Sequence, residues 1–336
     1  MKKILIASDT ASNHYGGVNL RMIDLVEQLR KKNFSVFFLN ADIFYGFYVP
    51  FIKAIKIPLV KYGTIKKIIE KFMPDYVHIE TEGPIGTCVK KFCLNNQLNF
   101  TTAYSTRYDH HLYDRIKFPK YITNKLIYLF HKHSSRILVR SQSIHNWLSE
   151  MGLPQSMVLD VGVRKEFFYC EQVDKESNKR RPVCIYVGRV EKEKNIEDFL
   201  SLTMDIEKIV VGSGGLLNQL KRKYSDVNFV GYVEQEKLRH WYSLADVFVF
   251  PSKSETLGNV LMEAMACGLP VAAYPVCGPI DVVEHGVSGW LGHDLKSSIQ
   301  MCCTLSRKGV VDYAKRFIAN DIADNFFQAL LPAKKG

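Results

Sequence analysis

Two cationic side chains stand beside a predicted helix start in the second half of the chain. Arg189 follows Gly188 directly after the apolar run Val183–Val187, and Lys194 precedes Asn195 where a helix is predicted to begin. Cations next to the free amides of a helix N-terminus are suited to holding a diphosphate. The segment is also compatible with a solvated charged loop, so on its own it leaves both interpretations open.

Two glutamates follow in the segment Pro251–Pro270, PSKSETLGNVLMEAMACGLP. Glu255 lies in the loop after an apolar strand, Gly258 and Asn259 begin a helix, and Glu263 lies one turn into it. The amides of the helix start would hold phosphate, and a carboxylate one turn further in can accept hydrogen bonds from ribose hydroxyls. Glu255 could hold the hydroxyls of a sugar. Two glutamates at this spacing are common, so the whole segment, rather than the spacing, indicates a site.

Glycines end two further predicted strands. Gly212 ends one apolar run, and Gly231, Tyr232 and Val233 end another. Glycine permits close approach of a ligand to the backbone, and backbone groups at the second turn could read the edge of a nucleobase. Each segment is equally compatible with a plain tight turn.

These residues fall at the ends of strands in a repeated strand–helix pattern. Short apolar runs alternate with amphipathic segments through both halves, which predicts an α/β protein with doubly wound parallel sheets covered on both faces. Such sheets bind ligands at the carboxyl ends of their strands. The predicted strands are Ile4–Ala7, Val36–Leu39, Tyr76–Ile79, Phe100–Ala103, Ile137–Val139, Met157–Leu159, Val183–Val187, Lys208–Val211, Val227–Val230, Val247–Phe250 and Val271–Ala273. The predicted helices lie near Leu20–Lys32, Thr64–Phe72, Ile85–Asn95, Gln142–Met151, Asn195–Leu202, Leu216–Tyr224, Gln235–Leu244 and Val260–Cys267.

Length and charge divide the chain in two. The 336 residues are 47% apolar and 24% charged, which is typical of a globular protein and excludes a disordered or fibrous chain. Residues 1–165 carry 24 Lys and Arg against 12 Asp and Glu, a net +12, whereas residues 166–336 carry 21 against 22, a net −1. We predict one Rossmann-like domain over 1–165, which should meet an anionic partner, and a second over 166–311. A linker near 163–182 and a C-terminal helix over about 312–330, packed back on the first domain, complete the prediction.

Cysteine usage and hydropathy indicate the compartment. The eight cysteines form no C-x-x-C pair, so we expect reduced thiols in a cytoplasmic protein. No stretch approaches the ~18 apolar residues of a membrane-spanning helix. The apolar run after the first lysines stops at Ser8, too soon for a signal peptide, and is interpreted as the first buried strand.

The densest part of the sequence resembles the retaining glycosyltransferases of family 4, which have the GT-B fold. The resemblance covers nearly the whole chain and is most specific from Gly188 to Leu291, where GRVEKEKN, VVGSGG, FVGYVEQEKLRHWYSLADVFVFPS and CGPIDVVEHGVSGWL surround Pro251–Pro270. It implies two Rossmann-like domains facing across a cleft, the first (1–165) binding the acceptor and the second (166–311) binding a nucleotide-sugar donor linked to UDP or GDP, with no metal and no other cofactor. The lack of a D-x-D motif agrees with metal independence.

The resemblance also assigns roles to residues. Arg189, Lys194 and Glu255 would be the three catalytic residues: the two cations would stabilise the leaving diphosphate, and Glu255 would hold the sugar. Glu263 would bind the ribose. The other donor-binding positions, which would contact the base, the sugar or the phosphates, are Gly16, Gly17, Gly212, Tyr232, Val233, Thr256, Leu257, Gly258 and Asn259. Breaking a sugar–diphosphate bond puts negative charge on the departing oxygen, and one preorganised donor aimed there is worth roughly 3–4 kcal/mol. Retention through front-face attack, with the leaving phosphate taking the acceptor proton, is implied by the resemblance alone.

The first half resembles the mannosyltransferase and lipid glycosyltransferase subgroup through HIETEGPIG and FTTAYSTRYDHH. Relatives carry a histidine, which contacts the donor sugar, where this chain has Ser105. His110 or His111 could substitute for it, although both are also compatible with surface or packing positions. The acceptor-side candidates are Glu80, Glu82, Ser105, Arg107, His110 and His111.

The stretch Phe44–Phe72 combines seven aromatic residues with six lysines and one acidic residue, Glu70. Aromatic rings suit the lipid headgroup layer and lysines suit an anionic surface. We therefore predict peripheral binding to the inner face of the cytoplasmic membrane through this stretch, with solvated lysines as the alternative. No nucleic-acid-binding module is recognisable, so nucleic acid is not an expected partner.

Three functions remain open on these residues. The first is a hexosyltransferase, with mannose or glucose expected, acting on a lipid-linked or glycan acceptor in glycolipid or polysaccharide biosynthesis. The second is a nucleotide-sugar epimerase on the same fold, and the third is a non-catalytic nucleotide-sugar binder, suggested by Ser105. A dehydrogenase is disfavoured because HYGGVN, rather than G-x-G-x-x-G, follows the first strand.

Overall fold

The structure is a computed structural model that describes residues 1–11, 17–49, 52–159, 162–169, 181–318 and 321–334. Residue contacts divide it into two compact units. The first unit comprises Met1–Thr106, Pro119–Asp160 and Asp321–Gly336, and the second comprises Arg107–Phe118 and Val161–Asn320. Arg107–Phe118 therefore belongs with the second unit, whereas the predicted boundary at 165 puts it in the first domain.

The elements follow the predicted alternation, and each of the eleven predicted strands has a counterpart. The strands are β1 (Lys3–Ala7), β2 (Ser35–Leu39), β3 (Gly46–Val49), β4 (Ile52–Pro58), β5 (Tyr76–Ile79), β6 (Thr101–Ala103), β7 (Arg136–Val139), β8 (Ser156–Val158), β9 (Val183–Val187), β10 (Glu207–Val211), β11 (Asn228–Gly231), β12 (Val247–Phe250), β13 (Val271–Ala273) and β14 (Gly289–Leu291). The helices are α1 (Gly17–Lys31), α2 (Tyr62–Phe72), α3 (Pro84–Asn95), α4 (Tyr108–Ile116), α5 (Lys120–His131), α6 (Gln142–Glu150), α7 (Glu197–Leu200), α8 (Leu217–Lys223), α9 (Gln235–Leu244), α10 (Asn259–Ala266), α11 (Pro279–Val282), α12 (Leu295–Cys302), α13 (Arg307–Ala314) and α14 (Ile322–Ala329).

The first unit is built on a six-stranded sheet in the order β2-β1-β5-β6-β7-β8, with all neighbours parallel. Residues Ile4 to Ala7 of β1 are completely buried because apolar clusters cover both faces of the sheet. This is why the strand has a continuous apolar sequence rather than an alternating one. Strand order reverses between β1 and β5, so the loops after these two strands border the crevice where such sheets bind ligands.

The second unit has a six-stranded parallel sheet in the order β11-β10-β9-β12-β13-β14. The chain proceeds outward from β9 to β11, then returns to the other side of β9 and continues through β12. The order therefore reverses between β9 and β12, and the loops that follow these strands define the expected ligand position. The predicted α/β class with two doubly wound parallel sheets is confirmed.

The predicted membrane-binding stretch Phe44–Phe72 forms the antiparallel hairpin β3–β4 and helix α2. Phe44 is buried, and the ring of Phe72 packs on that of Phe37 with centroids 5.5 Å apart. The Lys56 ammonium donates to the Phe44 carbonyl at 2.8 Å. Residues 50 and 51 and the side chains of residues 48–55 lie outside the described part of the chain.

The C-terminal region is not one helix over 312–330. Helix α13 ends at Ala314, a 3-10 turn covers Lys315–Phe317, and α14 begins after Asp321. The Asp321 carboxylate accepts a hydrogen bond from the Asp324 amide at 3.0 Å, which caps α14. Helix α14 packs within the first unit.

None of the helices in the described residues combines the length and apolar character that a membrane crossing needs. Among the described cysteines, the free thiols are Cys88, Cys93, Cys184, Cys277, Cys302 and Cys303.

Close packing of two turns makes Gly212 sensitive to substitution. Its φ is +141°, and a Cβ there would lie 1.8 Å from the Gly188 carbonyl oxygen. We expect Gly212→Ala to lower the free energy of unfolding by about 3 kcal/mol, measured by denaturant titration. Gly63→Ala is the matched control, because nothing lies within 4 Å of that Cβ and alanine is the better helix former. Equal stability of the two variants would contradict the close approach of the turns.

Candidate functional site

The loop after β9 holds Arg189 at the reversal point of the second sheet. The buried Tyr186 hydroxyl donates to the Arg189 carbonyl at 2.7 Å, which fixes the turn, and burial raises the pKa of this tyrosine. One turn further on, the buried Glu193 carboxylate forms an ion pair with the Arg189 guanidinium at 3.3 Å. The Arg189 side chain remains 43% exposed, so its charge is oriented and also accessible.

Lys194 and Glu255 connect the loops that follow β9 and β12. The Lys194 ammonium forms an ion pair with Glu255 Oε1, and both side chains are largely buried. The Ser252 hydroxyl donates to the same carboxylate oxygen at 3.1 Å. A second link joins these loops, since the side-chain amide of Asn195 donates to the Pro251 carbonyl at 3.2 Å. The structure therefore brings together two of the three predicted catalytic residues across the strand-order reversal.

The start of helix α10 is shaped to expose backbone amides. Gly258 is the N-cap residue with φ +82°, and as a glycine it has no side chain to cap the helix N-terminus. A Cβ on Gly278 would lie 2.7 Å from the Leu257 carbonyl, so the loop packs directly on the Gly278 backbone. The first-turn amides from Asn259 onward are suited to an anion. Thr256 lies in the same loop, beside Leu257, whose side chain is buried.

Glu263 lies one turn inside α10 and is buried. The Tyr242 hydroxyl donates to Glu263 Oε2 at 3.3 Å. Burial and the Glu263 charge raise the pKa of Tyr242, which keeps this phenol protonated and donating. This hydrogen bond orients the Glu263 carboxylate. A fixed orientation is what a group that accepts hydrogen bonds from ribose hydroxyls would need.

Tyr232 and Val233 line an open groove at the end of β11. The groove has a volume of about 660 Å³. Trp241 and His240 of helix α9 form its other aromatic walls. Tyr232 is about half exposed, so a flat ring could stack on it.

Glu80 and Ser105 meet in a buried polar cluster of the first unit. The Ser105 hydroxyl donates to Glu80 Oε1 at 3.1 Å, and His78 Nε2 contacts Glu80 Oε2 at 3.1 Å. Arg140, which follows β7, completes the cluster: its Nη2 lies 3.6 Å from Glu80 Oε1 and its Nε donates to Ser105 Oγ at 3.4 Å. Arg140 Nη1 is buried with no hydrogen-bond partner in the described residues. A guanidinium therefore lies beside Ser105, the position at which the resemblance described above implies a histidine.

Glu82 belongs to a second buried chain of polar groups. Its carboxylate lies 3.2 Å from His131 Nε2. His131 Nδ1 contacts the Thr102 hydroxyl at 2.8 Å, and this hydroxyl contacts Ser134 at 2.9 Å. The carboxylate–histidine contacts of Glu80 and Glu82 occupy atoms that the sequence prediction assigned to an acceptor.

Sequence reasoning missed Asp9, which follows β1 at the reversal point of the first sheet. Its Oδ1 accepts the Ile85 amide at 2.7 Å at the start of α3, and its Oδ2 accepts the Thr81 hydroxyl at 2.8 Å. Burial raises the pKa of Asp9, and these hydrogen bonds oppose the rise. An acidic residue in the loop directly after a buried strand is a local sequence signal, and this signal could have identified Asp9.

Arg107 and His110 lie with the second unit rather than with Glu80 and Ser105. Arg107 donates to both Asp109 carboxylate oxygens, at 2.9 and 2.8 Å, and its Nη1 lies 3.7 Å from Cys277 Sγ. His110 Nε2 lies 3.6 Å from the same carboxylate. The side chain of His111, and Gly16, lie outside the described residues, whereas Gly17 begins α1. Among the described candidates, Glu80 and Ser105 contact each other in the first unit, and Arg107 and His110 contact Asp109 in the second.

Within the described part of the chain, no group of three or more His, Cys, Asp or Glu side chains could hold a metal ion. Asp198 is an example of an acidic side chain that is hydrogen-bonded by protein groups. Burial acts to raise its pKa, but hydrogen bonds from Lys253, Tyr274 and Asn195 hold the pKa below its usual value. Metal independence stays a prediction, to be tested with a chelator.

Two family profiles match the chain in succession. The first is described as Glycosyltransferase Family 4 and matches residues 15–164. The second is described as Glycosyl transferases group 1 and matches residues 171–298. The second match contains Arg189, Lys194, Glu255 and Glu263.

Similar proteins carry related descriptions. A sulfoquinovosyl transferase of Arabidopsis thaliana is 26% identical over 83% of this chain, which spans 58% of that relative's length. An alpha-monoglucosyldiacylglycerol synthase of Streptococcus pneumoniae is 22% identical, and the match covers 81% of this chain and 71% of that protein's length. Among solved structures, sucrose-phosphate synthase from Thermosynechococcus elongatus aligns over 98% of both chains with a TM-score of 0.78 and 20% identity, a likeness of fold.

The Glu80–Arg140 pair generates a stability prediction. Arg140→Met would leave the Glu80 carboxylate buried without its cation, which should lower the free energy of unfolding by about 3 kcal/mol. The double variant Glu80→Gln/Arg140→Met removes both charges and should recover most of that loss in the same denaturant titration. If the double variant is as unstable as Arg140→Met, the two charges are not coupled.

Proposed function

Because the chain belongs to glycosyltransferase family 4, with the GT-B fold, we propose that it transfers a hexose from a nucleotide-sugar to a lipid-linked or glycan acceptor. The expected sugar is mannose or glucose, linked to UDP or GDP, and the expected outcome is retention of the anomeric configuration. The proposed place of transfer is the cytoplasmic face of the membrane.

The observation that carries this proposal is the cluster of charges at the reversal point of the second sheet. Arg189 and Lys194 follow one strand, and Glu255 and the start of α10 follow the other. Two cations and a row of backbone amides are suited to a diphosphate, whereas a carboxylate is suited to sugar hydroxyls. One crevice thus holds groups for both halves of a nucleotide-sugar.

The proposed reaction breaks the bond between C1 of the sugar and the diphosphate oxygen and forms a bond from C1 to the acceptor oxygen. The electron pair of the broken bond goes to the diphosphate, where Arg189 and Lys194 stabilise the developing charge. The acceptor proton goes to an oxygen of the leaving phosphate. Glu255 orients the sugar by accepting hydrogen bonds from its hydroxyl groups, and Glu263 orients the ribose in the same way. Tyr232 and Val233 contact the base at the groove.

A lipid-linked acceptor is supported by the name of one relative, an alpha-monoglucosyldiacylglycerol synthase. On the first unit, Ser105 stands where relatives place a histidine, and the guanidinium of Arg140 lies beside it. A cationic hydrogen-bond donor is therefore available at this position without an imidazole. This favours an active transferase over the non-catalytic binder that Ser105 suggests.

Incubation with UDP- and GDP-linked mannose and glucose, with and without EDTA, tests the proposal. The expected result is chelator-insensitive donor turnover, with an axial glycosidic product from an axial donor by NMR. Conversion of the donor to its epimer would support the epimerase instead. Binding of a donor, seen as a thermal shift, with no turnover on any acceptor would support the non-catalytic binder.

Removing charge at the reversal point should slow turnover. We expect Lys194→Met and Glu255→Ala each to lower kcat by about 10²–10³, because each removes a group aimed at the reacting sugar diphosphate. Lys192→Met is the matched control, since Lys192 is exposed two residues away and should keep wild-type kcat. Equal kcat in the wild type and the Lys194 and Glu255 variants would refute these roles.

A further inference from the structure

Asp198, on the short helix α7, holds three side chains at one carboxylate oxygen. Its Oδ2 accepts hydrogen bonds from the Asn195 side-chain amide at 2.5 Å, the Tyr274 hydroxyl at 2.6 Å and the Lys253 ammonium at 2.8 Å. Asn195 lies in the loop after β9, Lys253 in the loop after β12, and Tyr274 directly after β13. Because these three strands are consecutive in the sheet, a single oxygen ties together three adjacent loops. We refer to these four residues as the Asp198 cluster.

Two of these loops carry the ion pair of the candidate site. Asn195 directly follows Lys194, and Lys253 lies two residues before Glu255. The Asn195 side chain also donates to the Pro251 carbonyl, so it is held by both loops. The Asp198 cluster therefore acts on the chain segments that determine where the ammonium and the carboxylate of the ion pair lie.

The backbone at Asn195 depends on such contacts. The 3-10 turn Lys192–Lys194 ends at this residue, whose φ of +52° lies in the left-handed region that side chains other than glycine adopt at an energetic cost. A conformation of this kind persists where the surrounding structure holds it in place. The hydrogen bonds from Asn195 to Asp198 and to Pro251 are contacts of that kind. Loss of the acceptor at Asp198 should therefore loosen the turn that presents Lys194.

The ionisation of the Asp198 cluster favours its hydrogen bonds near neutral pH. Although burial acts to raise the pKa of Asp198, hydrogen bonds from Lys253, Tyr274 and Asn195 hold that pKa below its usual value. Burial and the hydrogen bond to Asp198 raise the pKa of Tyr274, so its phenol stays protonated and donates. The Lys253 ammonium also lies over the Tyr274 ring, 4.7 Å from the ring centroid. Acceptor and donors thus keep the charge states that their contacts require.

Glu197, the preceding residue, makes contacts of the same kind in another direction. Its Oε1 accepts hydrogen bonds from the Lys223 ammonium at 2.6 Å and the Tyr224 hydroxyl at 3.5 Å. Lys223 ends α8 and Tyr224 directly follows it, so neither partner lies in the loops after β9 or β12. The side chains of Lys223 and Lys253 are equally exposed, at 57%. Glu197 is therefore a matched control for Asp198.

We propose that Asp198 is a positioning residue of the transfer reaction, which fixes the loops after β9 and β12 so that Lys194 and Glu255 face the donor in one arrangement. This inference rests on the proposed function, because Asp198 acts through residues to which that proposal gives catalytic roles. A displacement of about 1 Å caused by a change away from the reacting atoms can lower a rate roughly 100-fold. A carboxylate that does not touch the substrate can therefore control turnover.

Turnover by Asp198→Ala and Glu197→Ala, with UDP- and GDP-linked mannose and glucose as donors, tests the proposal in the full chain. We expect Asp198→Ala to lower kcat about 10- to 100-fold, whereas Glu197→Ala should keep the wild-type kcat. Asp198→Asn retains a side-chain oxygen that accepts hydrogen bonds and should recover part of the loss. Because Asp198 is 34% exposed, the melting temperatures should stay close to that of the wild type. A wild-type kcat in Asp198→Ala, or equal losses in Asp198→Ala and Glu197→Ala, would overturn the proposal.

A double-mutant cycle distinguishes positioning from a general structural defect. The loss of kcat caused by Asp198→Ala should shrink to about threefold or less in the Lys194→Met background, because a main group that Asp198 positions is already absent and coupled residues do not add. If Asp198→Ala lowers kcat by the same factor in both backgrounds, Asp198 does not act through Lys194 and the proposal is wrong.

Hydrogen–deuterium exchange without donor tests the positioning independently of the transfer reaction. Backbone amides of residues 188–196 and 251–258 should exchange faster in Asp198→Ala than in the wild type, and at the wild-type rate in Glu197→Ala. Unchanged exchange in Asp198→Ala would overturn the proposal whatever the activity. If the wild type turns over no donor, the proposed function fails, and the exchange comparison still decides whether Asp198 holds the two loops.

Discussion

The ion pair between Lys194 and Glu255 is the interaction on which the second unit's site depends. It joins the loops after β9 and β12, the two strands between which the order of the sheet reverses. Because the pair is largely buried, neither charge can be removed without leaving the other poorly solvated. The same constraint places an ammonium, a carboxylate and the amides of α10 around one crevice. A sugar diphosphate would offer phosphate oxygens to the ammonium and the amides, and sugar hydroxyls to the carboxylate.

The first unit follows the same rule of strand order with different chemistry. Its reversal point lies between β1 and β5, and the residues there are Asp9, which holds the start of α3, and Glu80, which holds Ser105 and Arg140. These carboxylates are engaged by protein groups. Buried polar clusters of this kind fix geometry at the cost of desolvation. The groups proposed to bind the donor diphosphate thus lie in the second unit, whereas the first holds buried, preorganised polar clusters.

Sequence patterns predicted the sheets well because parallel strands buried on both faces have continuous apolar sequences, as β1 and β12 do. They predicted α5 poorly because its tyrosines, isoleucines and threonine are weak helix formers. Packing of the stripe Thr123, Ile127 and His131 overcomes that weakness. Partners distant in sequence were also missed. Arg140 meets Glu80 from another strand, and nothing local marks either residue as half of a pair. The assignment of Arg107–Phe118 to the second unit likewise depends on contacts far along the chain.

The central claim is that cations at the reversal point of the second sheet bind the diphosphate of the donor. Calorimetric titration of UDP and GDP into the wild type and into Arg189→Met/Lys194→Met tests it most directly, because no acceptor is needed. The account predicts that one of the two nucleotides binds the wild type and that the double variant binds it at least about 100-fold more weakly, as loss of two charge-assisted contacts implies. Equal affinity of the wild type and the double variant for that nucleotide would contradict it.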